Sequence, residues 1–357
     1  MEVRTLRSPE EVVPLGEAWN RLRAVVDAPV LRHDWVMAGI EHLGRSDDLL
    51  VVCVFDSGQL VAAAPLSRPR RKIGRIRRLG LVGQGFHGEP GGFVYQDGPA
   101  LRRLLSAIAE LRLPMTLGGI IGGTEIADGL RSAGGLRVVT RVSRSSPSLE
   151  IPADADGSEA LVSSSLRSDL RRARRRAGRI GPVAFAMHTP TSPEELAPLW
   201  DEVLRIESTG WKGRAGSALR HHEMLGAFFA EYARRATERK ELRIGILDIG
   251  GRAAAAVVGV EWADRLWLLK IGYDERYGAV SPGMLLIEET LTHAVHRGLR
   301  SMEFLGESAP WTRRWTRVEH QVTMVRGYPH ALVGATAFGV DAARWLVRRC
   351  ARRGTDS

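Results

Sequence analysis

The stretch LWLLKIGYDERYGAVSPGMLLIEE, residues 266–289, carries the fold of this chain. Leu266–Gly272 is a nearly unbroken apolar run, the composition of a buried strand. Ser281-Pro-Gly-Met284 then opens an apolar-periodic helix that continues to about Arg297. Pro282 falls in its first turn, where a missing N–H costs nothing. A strand running into a helix N-terminus presents free N–H groups and the positive end of a dipole, which suit a pyrophosphate. Gly283 lets a ligand approach the backbone. From spacing alone, an ordinary serine N-cap accounts for the same residues.

Outward from this stretch the order of elements is definite. Upstream, Leu242–Asp248 and Ala254–Trp262 read as a hairpin across Gly250-Gly251. Helices are expected over Ser158–Ala177, Ser192–Glu207 and His221–Arg239, with a strand at Val183–Met187. Downstream, Ser301–Leu305 and Val322–Gly327 read as strands, and Asp341–Arg353 as a basic amphipathic helix. The first half shows a looser alternation, with a capping box at Ser8-Pro-Glu-Glu11 and a hairpin around Asp56-Ser57-Gly58. Ser143–Pro147, followed by polar Asp154–Ser158, is the expected linker. The expected domains are 1–150, 151–335, and a basic tail over 336–357.

The chain has 357 residues, 51 Lys+Arg against 41 Asp+Glu, and a formal net charge of +10. That length suits two domains of ~100–200 residues each. Cys53 and Cys350 are its two cysteines, which excludes a disulfide framework and a cysteine-based zinc site. The first residues contain acidic side chains and no apolar signal region. The longest apolar run, Ala331–Val340, falls short of the ~18 residues of a membrane span, so a soluble cytoplasmic protein is expected. Only Lys72, Lys212, Lys240 and Lys270 are lysines, an arginine bias typical of GC-rich coding. Coding bias exchanges Lys for Arg without adding charge, so the excess still allows an anionic partner: a nucleotide cofactor, nucleic acid or a membrane surface.

Gly83-Gln-Gly85-Phe-His-Gly88 matches a dinucleotide fingerprint literally, but Glu89-Pro90-Gly91-Gly92 cannot start the helix that fingerprint needs, so a surface loop is expected. Residues 167–179 carry seven arginines, of which Arg167, Arg171, Arg174 and Arg175 form one helical stripe. A polyanion-binding face and a solvated helix explain them equally well, and no aromatic residue interleaves to stack on bases. Glu207-Ser-Thr-Gly-Trp-Lys212 closes a helix and sets a carboxylate near an ammonium; a capped helix end with a salt bridge is the simpler account. Trp311-Thr-Arg-Arg-Trp315 follows the Glu303–Glu307 strand end, either as a substrate wall or as a packing plug. His293 and His296 lie on one helix without a ligand set at metal spacing and are read as structural or exposed.

Taken together, Glu207-x-x-Gly-Trp-Lys212, Lys270-x-x-Tyr273, Ser281-Pro-Gly283 and Phe304-Leu-Gly-Glu to Trp315 resemble the tandem-GNAT acyltransferases of the CelD type from cellulose-biosynthesis clusters. That group is distantly similar to the Fem peptidyltransferases. The resemblance covers residues 155–330 and reaches the first half only by layout. It implies an α/β fold of two GNAT-like units in tandem, with mixed, largely antiparallel sheets flanked by helices. It implies an acyl-CoA-dependent N-acyltransferase using acetyl-CoA or another acyl-CoA and no metal, with an amine of a small molecule or of a sugar or peptide precursor as acceptor. In such enzymes the pantetheine pairs with a strand that splays from its neighbour and the pyrophosphate rests on the next helix. Here those elements are Lys270–Tyr273 and Ser281–Met284. Tyr277-Gly-Ala-Val-Ser-Pro-Gly283 stands where the usual Arg/Gln-x-x-Gly-x-Gly/Ala loop is expected, which leaves aminoacyl-tRNA open as a Fem-like donor.

On that resemblance, Glu307 and Glu207 are the candidate bases for the acceptor amine. Ile271 and Gly272 N–H groups would hold the oxyanion, with Ser281, Gly283 and Met284 on the donor. Tyr273 would protonate the leaving thiolate with Lys270 in support. Trp211, Lys212, Trp311, Arg314 and Trp315 are the candidate substrate contacts. The alternatives are an aminoacyl-tRNA-dependent transferase and a non-catalytic polyanion-binding module.

Overall fold

The computed structural model describes residues 1–22, 27–44, 48–68, 76–209 and 219–353. The chain forms two compact units: Met1–Arg144 together with Gln321–Ser357, and Ser145–His320. Its architecture is mixed α/β, with antiparallel-rich sheets flanked by helices.

In the first unit, strands β1 (Glu2–Leu6), β2 (Leu49–Asp56), β3 (Gln59–Ser67) and β4 (Gly80–Leu81) pair in that order. The short β5 (Val94–Tyr95) pairs with β3. The β2–β3 turn places both Ser57 (φ 48°) and Gly58 (φ 81°) in the left-handed region, the backbone that matches the strand twist. Both strands are buried almost throughout, because helices cover both faces. Short helices α1 (Pro9–Val12) and α2 (Gly16–Arg21) precede α3 (His33–His42), and α4 (Gly98–Glu110) packs on β2 and β3. The Ser8 capping box forms: the Glu11 carboxylate accepts the Ser8 N–H at 3.0 Å. Strand β6 (Met115–Ile120), helix α5 (Gly123–Ala133) and strand β7 (Leu136–Glu150) follow. Gly83, Gly85 and Gly88 all have positive φ in a turn segment, as expected of a loop.

The expected linker at Ser143–Pro147 is instead part of β7. Its backbone is paired: Pro147 O accepts from Phe304 N–H at 3.0 Å and Ser145 O from Ser308 N–H at 2.9 Å. Proline is tolerated here because the bond uses its carbonyl, the one backbone group it keeps.

The second unit begins with α6 (Ser164–Gly178), β8 (Val183–His188), α7 (Pro193–Thr209) and α8 (Glu223–Glu238). A meander of β9 (Leu242–Ile249), β10 (Ala253–Trp262) and β11 (Arg265–Tyr273) leads to α9 (Pro282–His296) and β12 (Ser301–Glu303). Strands β8 to β11 are antiparallel neighbours, β12 joins β11 in parallel, and the end of β7 closes on β12. Helices α6 and α9 cover one face over a core of Leu166, Leu170, Leu266, Leu268, Leu286 and Met302. Helix α7 packs on β10 and β11, and α8 on β9. The chain ends with β13 (Glu319–Pro329), which pairs with β6, and α10 (Leu332–Arg353).

Candidate active site

One extra residue in β11 orients the site. Val258 pairs with Lys270 and Gly259 with Leu268, so Leu269 is a β-bulge. Side chains alternate along a strand, and the bulge resets that alternation. Leu266 and Leu268 face α6 and α9 before it; Ile271 and Tyr273 do so after it. Lys270 and Gly272 are thereby turned toward α7 and α8. Lys270 Nζ lies 4.1 Å from the centre of the Phe229 ring of α8. A Cβ on Gly272 would lie 3.3 Å from Glu207 Cα of α7. Gly259, opposite the bulge, is also obligatory: its Cβ would meet Trp267 O at 2.9 Å.

Just before the bulge, β11 leaves its parallel neighbour. The β11–β12 ladder has three pairs, ending at Trp267 and Glu303, while β11 runs on to Tyr273. Residues 304–308 instead follow β7, with Leu305 (φ 50°) and Gly306 (φ 58°) making the bend. A wedge opens between the two strands past that last pair.

The strand end is tied down by Asp274, which has no exposed surface. Its carboxylate binds Arg276 at 2.6 Å and caps the turn through Arg276 N–H at 3.0 Å. The Arg276 guanidinium holds that carboxyl below its ordinary range. Helix α9 then starts at Ser281, whose φ of 56° and ψ of 54° are left-handed and whose side chain makes no capping bond. An ordinary N-cap is extended and caps through its side chain, so Ser281 is not one. Gly283 lies against the Tyr273 ring, 3.4 Å from Cδ1 to the position of a Cβ. Arg314 reaches the same helix start, with Nη1 3.4 Å from Met284 Sδ, and pairs with Asp169 of α6. Bulge, wedge, strand end and helix start thus bring Ile271, Gly272, Tyr273, Ser281, Gly283, Met284 and Arg314 into one region.

The remaining expected residues are placed differently. Glu207 is buried and accepts the Leu219 N–H at 3.0 Å, on the Gly272 side of β11. Glu307 is exposed, beyond the Gly306 bend. Trp311 is 45% exposed and meets Phe304 edge to face, with ring centres 5.7 Å apart. Trp315 is 6% exposed, belongs to the core under α6 and α9, and lines a small cleft with Arg167, Arg171 and Glu288. Trp211 and Lys212 lie outside the described residues. In the arginine helix, Arg174 pairs with Glu288 and Glu289 of α9, and Arg172 with Asp169. His293 bonds the Glu261 carboxylate at 3.1 Å. Burial pushes Glu261 up, but bonds from His293 and Arg243 bring it down to about 2.

A buried carboxylate at the apex of the wedge has no counterpart among the expected site residues. Glu303 is 1% exposed and binds Arg265 at 2.6 Å, Ser301 Oγ at 2.6 Å and His320 at 3.2 Å. The one signal in the sequence is a charged residue inside an apolar strand, Ser-Met-Glu-Phe-Leu. Among the described residues, no three His, Cys, Asp or Glu side chains gather where they would hold a metal ion.

Residues 164–313 match the acetyltransferase (GNAT) domain model, a span within the second unit. The chain is also similar in structure to FemX, at a TM-score of 0.57 and 10% identity over 92% of this chain and 97% of that one. The C-terminal domain of a putative lysylphosphatidylglycerol synthetase from Agrobacterium fabrum gives 0.55 and 14%, over 94% and 96%. L-PGS from Bacillus licheniformis gives 0.54 and 11%, over 94% and 96%. At these identities the likeness is one of fold. A search of curated proteins finds no match. The second unit therefore carries a GNAT-fold acyltransferase domain.

Proposed function

We propose that this chain is an acyl-CoA-dependent N-acyltransferase of the tandem-GNAT, CelD-like kind. The observation that supports this best is the wedge that opens past Trp267 and Glu303, ending at left-handed Ser281 and the helical Gly283. Pantetheine would lie along β11 beyond Trp267 as an added strand. The pyrophosphate would sit over the α9 start, where the helix dipole and Arg314 both favour negative charge.

In the reaction, the acceptor nitrogen attacks the thioester carbonyl, a C–N bond forms, and the C–S bond breaks. The amine proton passes to a carboxylate, Glu307 or Glu207, directly or through water. N–H groups at Ile271–Gly272 stabilise the oxyanion. Tyr273 returns a proton to the thiolate, with the Lys270 charge in support. Trp311 flanks the acceptor side, while Arg314 serves the donor phosphates.

A second reading, aminoacyl-tRNA as donor, draws support from exposed Arg171, Arg175 and Arg176 on α6 and Arg179 just past its end. It also draws support from the fold shared with FemX and a putative lysylphosphatidylglycerol synthetase. Thermal unfolding with acetyl-CoA tests the first reading: at a hundredfold excess over Kd, binding stabilises the fold by about 2.7 kcal/mol. No shift with any CoA thioester, alongside a shift with charged tRNA, would replace it by the second.

A further inference from the structure

The first unit repeats the order of strand, helix and parallel strand that frames the wedge of the second. β4 and β5 pair one after the other along β3, Leu81 opposite Leu66 and Val94 opposite Ala63, so together they fill a single strand position. Helix α4 follows, then β6, which meets that position in parallel through Leu79 and Met115. In the second unit the same places are held by β11, α9 and β12. The two units differ past the first parallel pairs. β11 runs on unbroken and a wedge opens beside it, whereas the strand position in the first unit breaks off after Leu81 and resumes at Val94.

The residues between leave the strand and enter the slot beside β6. Gln84 Oε1 accepts the Leu81 N–H and the Gly118 N–H, both at 3.1 Å, so one side-chain oxygen joins β4 to β6. Further along, Gly91 N–H donates to Gly119 O at 3.0 Å and Gly91 O accepts the Ile121 N–H at 2.9 Å. These are the bonds of an added parallel strand. Small residues allow the fit: a Cβ on Gly118 would lie 3.1 Å from Gln84 Nε2, and one on Gly91 would lie 2.7 Å from Leu81 Cδ1. The helix start is taken as well. Asp97 is an extended N-cap whose carboxylate accepts the Ala100 N–H at 2.8 Å, where α9 has the left-handed Ser281. A phosphate arriving at α4 would meet that negative charge.

We propose that the first unit takes no donor, because residues 82–93 are its built-in occupant, and that the chain binds one acyl-CoA, in the second unit. The proposal rests on the donor site read there. That site needs two things from the layout, a strand edge for the pantetheine and a helix start for the phosphates. In the first unit the chain's own backbone, Gln84 and Asp97 use both. Displacing Gln84 would break two bonds and strand the N–H groups of Leu81 and Gly118 before a donor bond formed.

The test is isothermal titration of the full chain with acetyl-CoA, read together with hydrogen exchange. One site per chain is expected, with new protection on β11 and the start of α9 and none over residues 80–100. Gln84→Ala should speed exchange of the Leu81 and Gly118 amides by about tenfold, while acetyl-CoA affinity stays within about twofold. Two sites per chain, one of them protecting the α4 start, overturn the proposal and leave the reading of the second unit intact. Unchanged exchange in the Gln84→Ala variant removes the seal, and the proposal with it. Protection at the α4 start alone overturns both the proposal and that reading. Absence of any binding does the same, because the count of donors would then be zero.

Discussion

Gly272 of β11 and Glu207 of α7 approach so closely that a Cβ on the glycine would lie 3.3 Å from the glutamate Cα. This contact joins the strand end that faces the wedge to the helix end that carries a buried carboxylate. It is possible because the bulge at Leu269 turns position 272 toward α7. A larger side chain there must push the helix away or twist the strand end into the wedge. Gly272→Val should therefore destabilise the second unit by about 1–3 kcal/mol and lower donor affinity together with turnover. Melting temperature and acetyl-CoA titration check both effects; a fully active, fully stable variant would dissolve the link between helix and strand.

The two candidate bases separate by environment. Glu307→Gln should cut turnover by roughly 10²–10⁴-fold with little change in melting temperature, since the residue is exposed. Glu207→Gln changes a buried group that accepts the Leu219 N–H, so it should lower stability as well as rate. Paired measurements of turnover and unfolding decide which carboxylate serves the acceptor. Wild-type turnover in both variants would shift the role to water.

The Glu303–His320 pair predicts a pH window. Burial pushes Glu303 up, but bonds from His320, Ser301 and Arg265 outweigh it and hold the carboxyl below its ordinary 4.5. The bond to Glu303 raises His320 above its ordinary 6.5. A lowered acid contributes stability above its unfolded pKa and loses it as pH falls through the folded one. A raised histidine contributes below its unfolded pKa and loses it as pH rises through the folded one. The pair is thus strongest between 4.5 and 6.5 and weakens on the alkaline side as His320 loses its proton. His320→Gln should flatten that alkaline decline in melting temperature. Parallel curves for wild type and variant would contradict it.

Much of this architecture is written in local patterns. The hairpins at Ser57-Gly58 and Gly250-Gly251, the capping box at Ser8 and the order from α7 to β12 follow from periodicity and turn residues. What the sequence hides is register and long-range closure. Nothing in Leu-Trp-Leu-Leu-Lys-Ile-Gly-Tyr marks Leu269 as the extra residue, because the run is apolar on either side of the bulge. Ser143–Pro147 has linker composition, yet its carbonyls are satisfied by residues more than 150 positions away. Likewise, residues 321–357 return to the first unit, and a reading in chain order has no view of that. The Ser281-Pro-Gly motif was legible as a helix start, but its left-handed backbone was not.

That return is secured by Arg78 and Asp341, 263 residues apart and bonded at 2.7 Å. Arg78 is 5% exposed, so removing its partner leaves a buried charge with less than it needs. Asp341→Ala should cost about 3–5 kcal/mol, while Arg78→Met with Asp341→Leu should cost much less because no lone charge remains. Chemical denaturation of the two variants checks the order. A single substitution milder than the double one would mean that Tyr328 and Arg326, rather than Arg78, carry Asp341.

The arginines of α6 separate the two transferase readings. Arg174 is held by Glu288 and Glu289, and Arg172 by Asp169, so these two cations are already engaged within the second unit. Arg171 and Arg175 remain exposed and available to a polyanion. If charged tRNA is the donor, converting Arg171, Arg172, Arg174 and Arg175 to glutamine should abolish its binding. Wild-type binding should then fall with salt at close to one log unit per phosphate neutralised. If acyl-CoA is the donor, the helix supplies at most a contact or two to phosphates. The Michaelis constant should then rise only severalfold, beside a stability loss from the broken Arg174 bridges. The second outcome is expected, because α6 has no aromatic side chain to stack on bases and two of the four arginines serve as struts to α9 or within α6. Ribonuclease treatment of an active preparation decides between them: activity that survives keeps acyl-CoA as donor, and activity that disappears assigns the exposed arginines to tRNA.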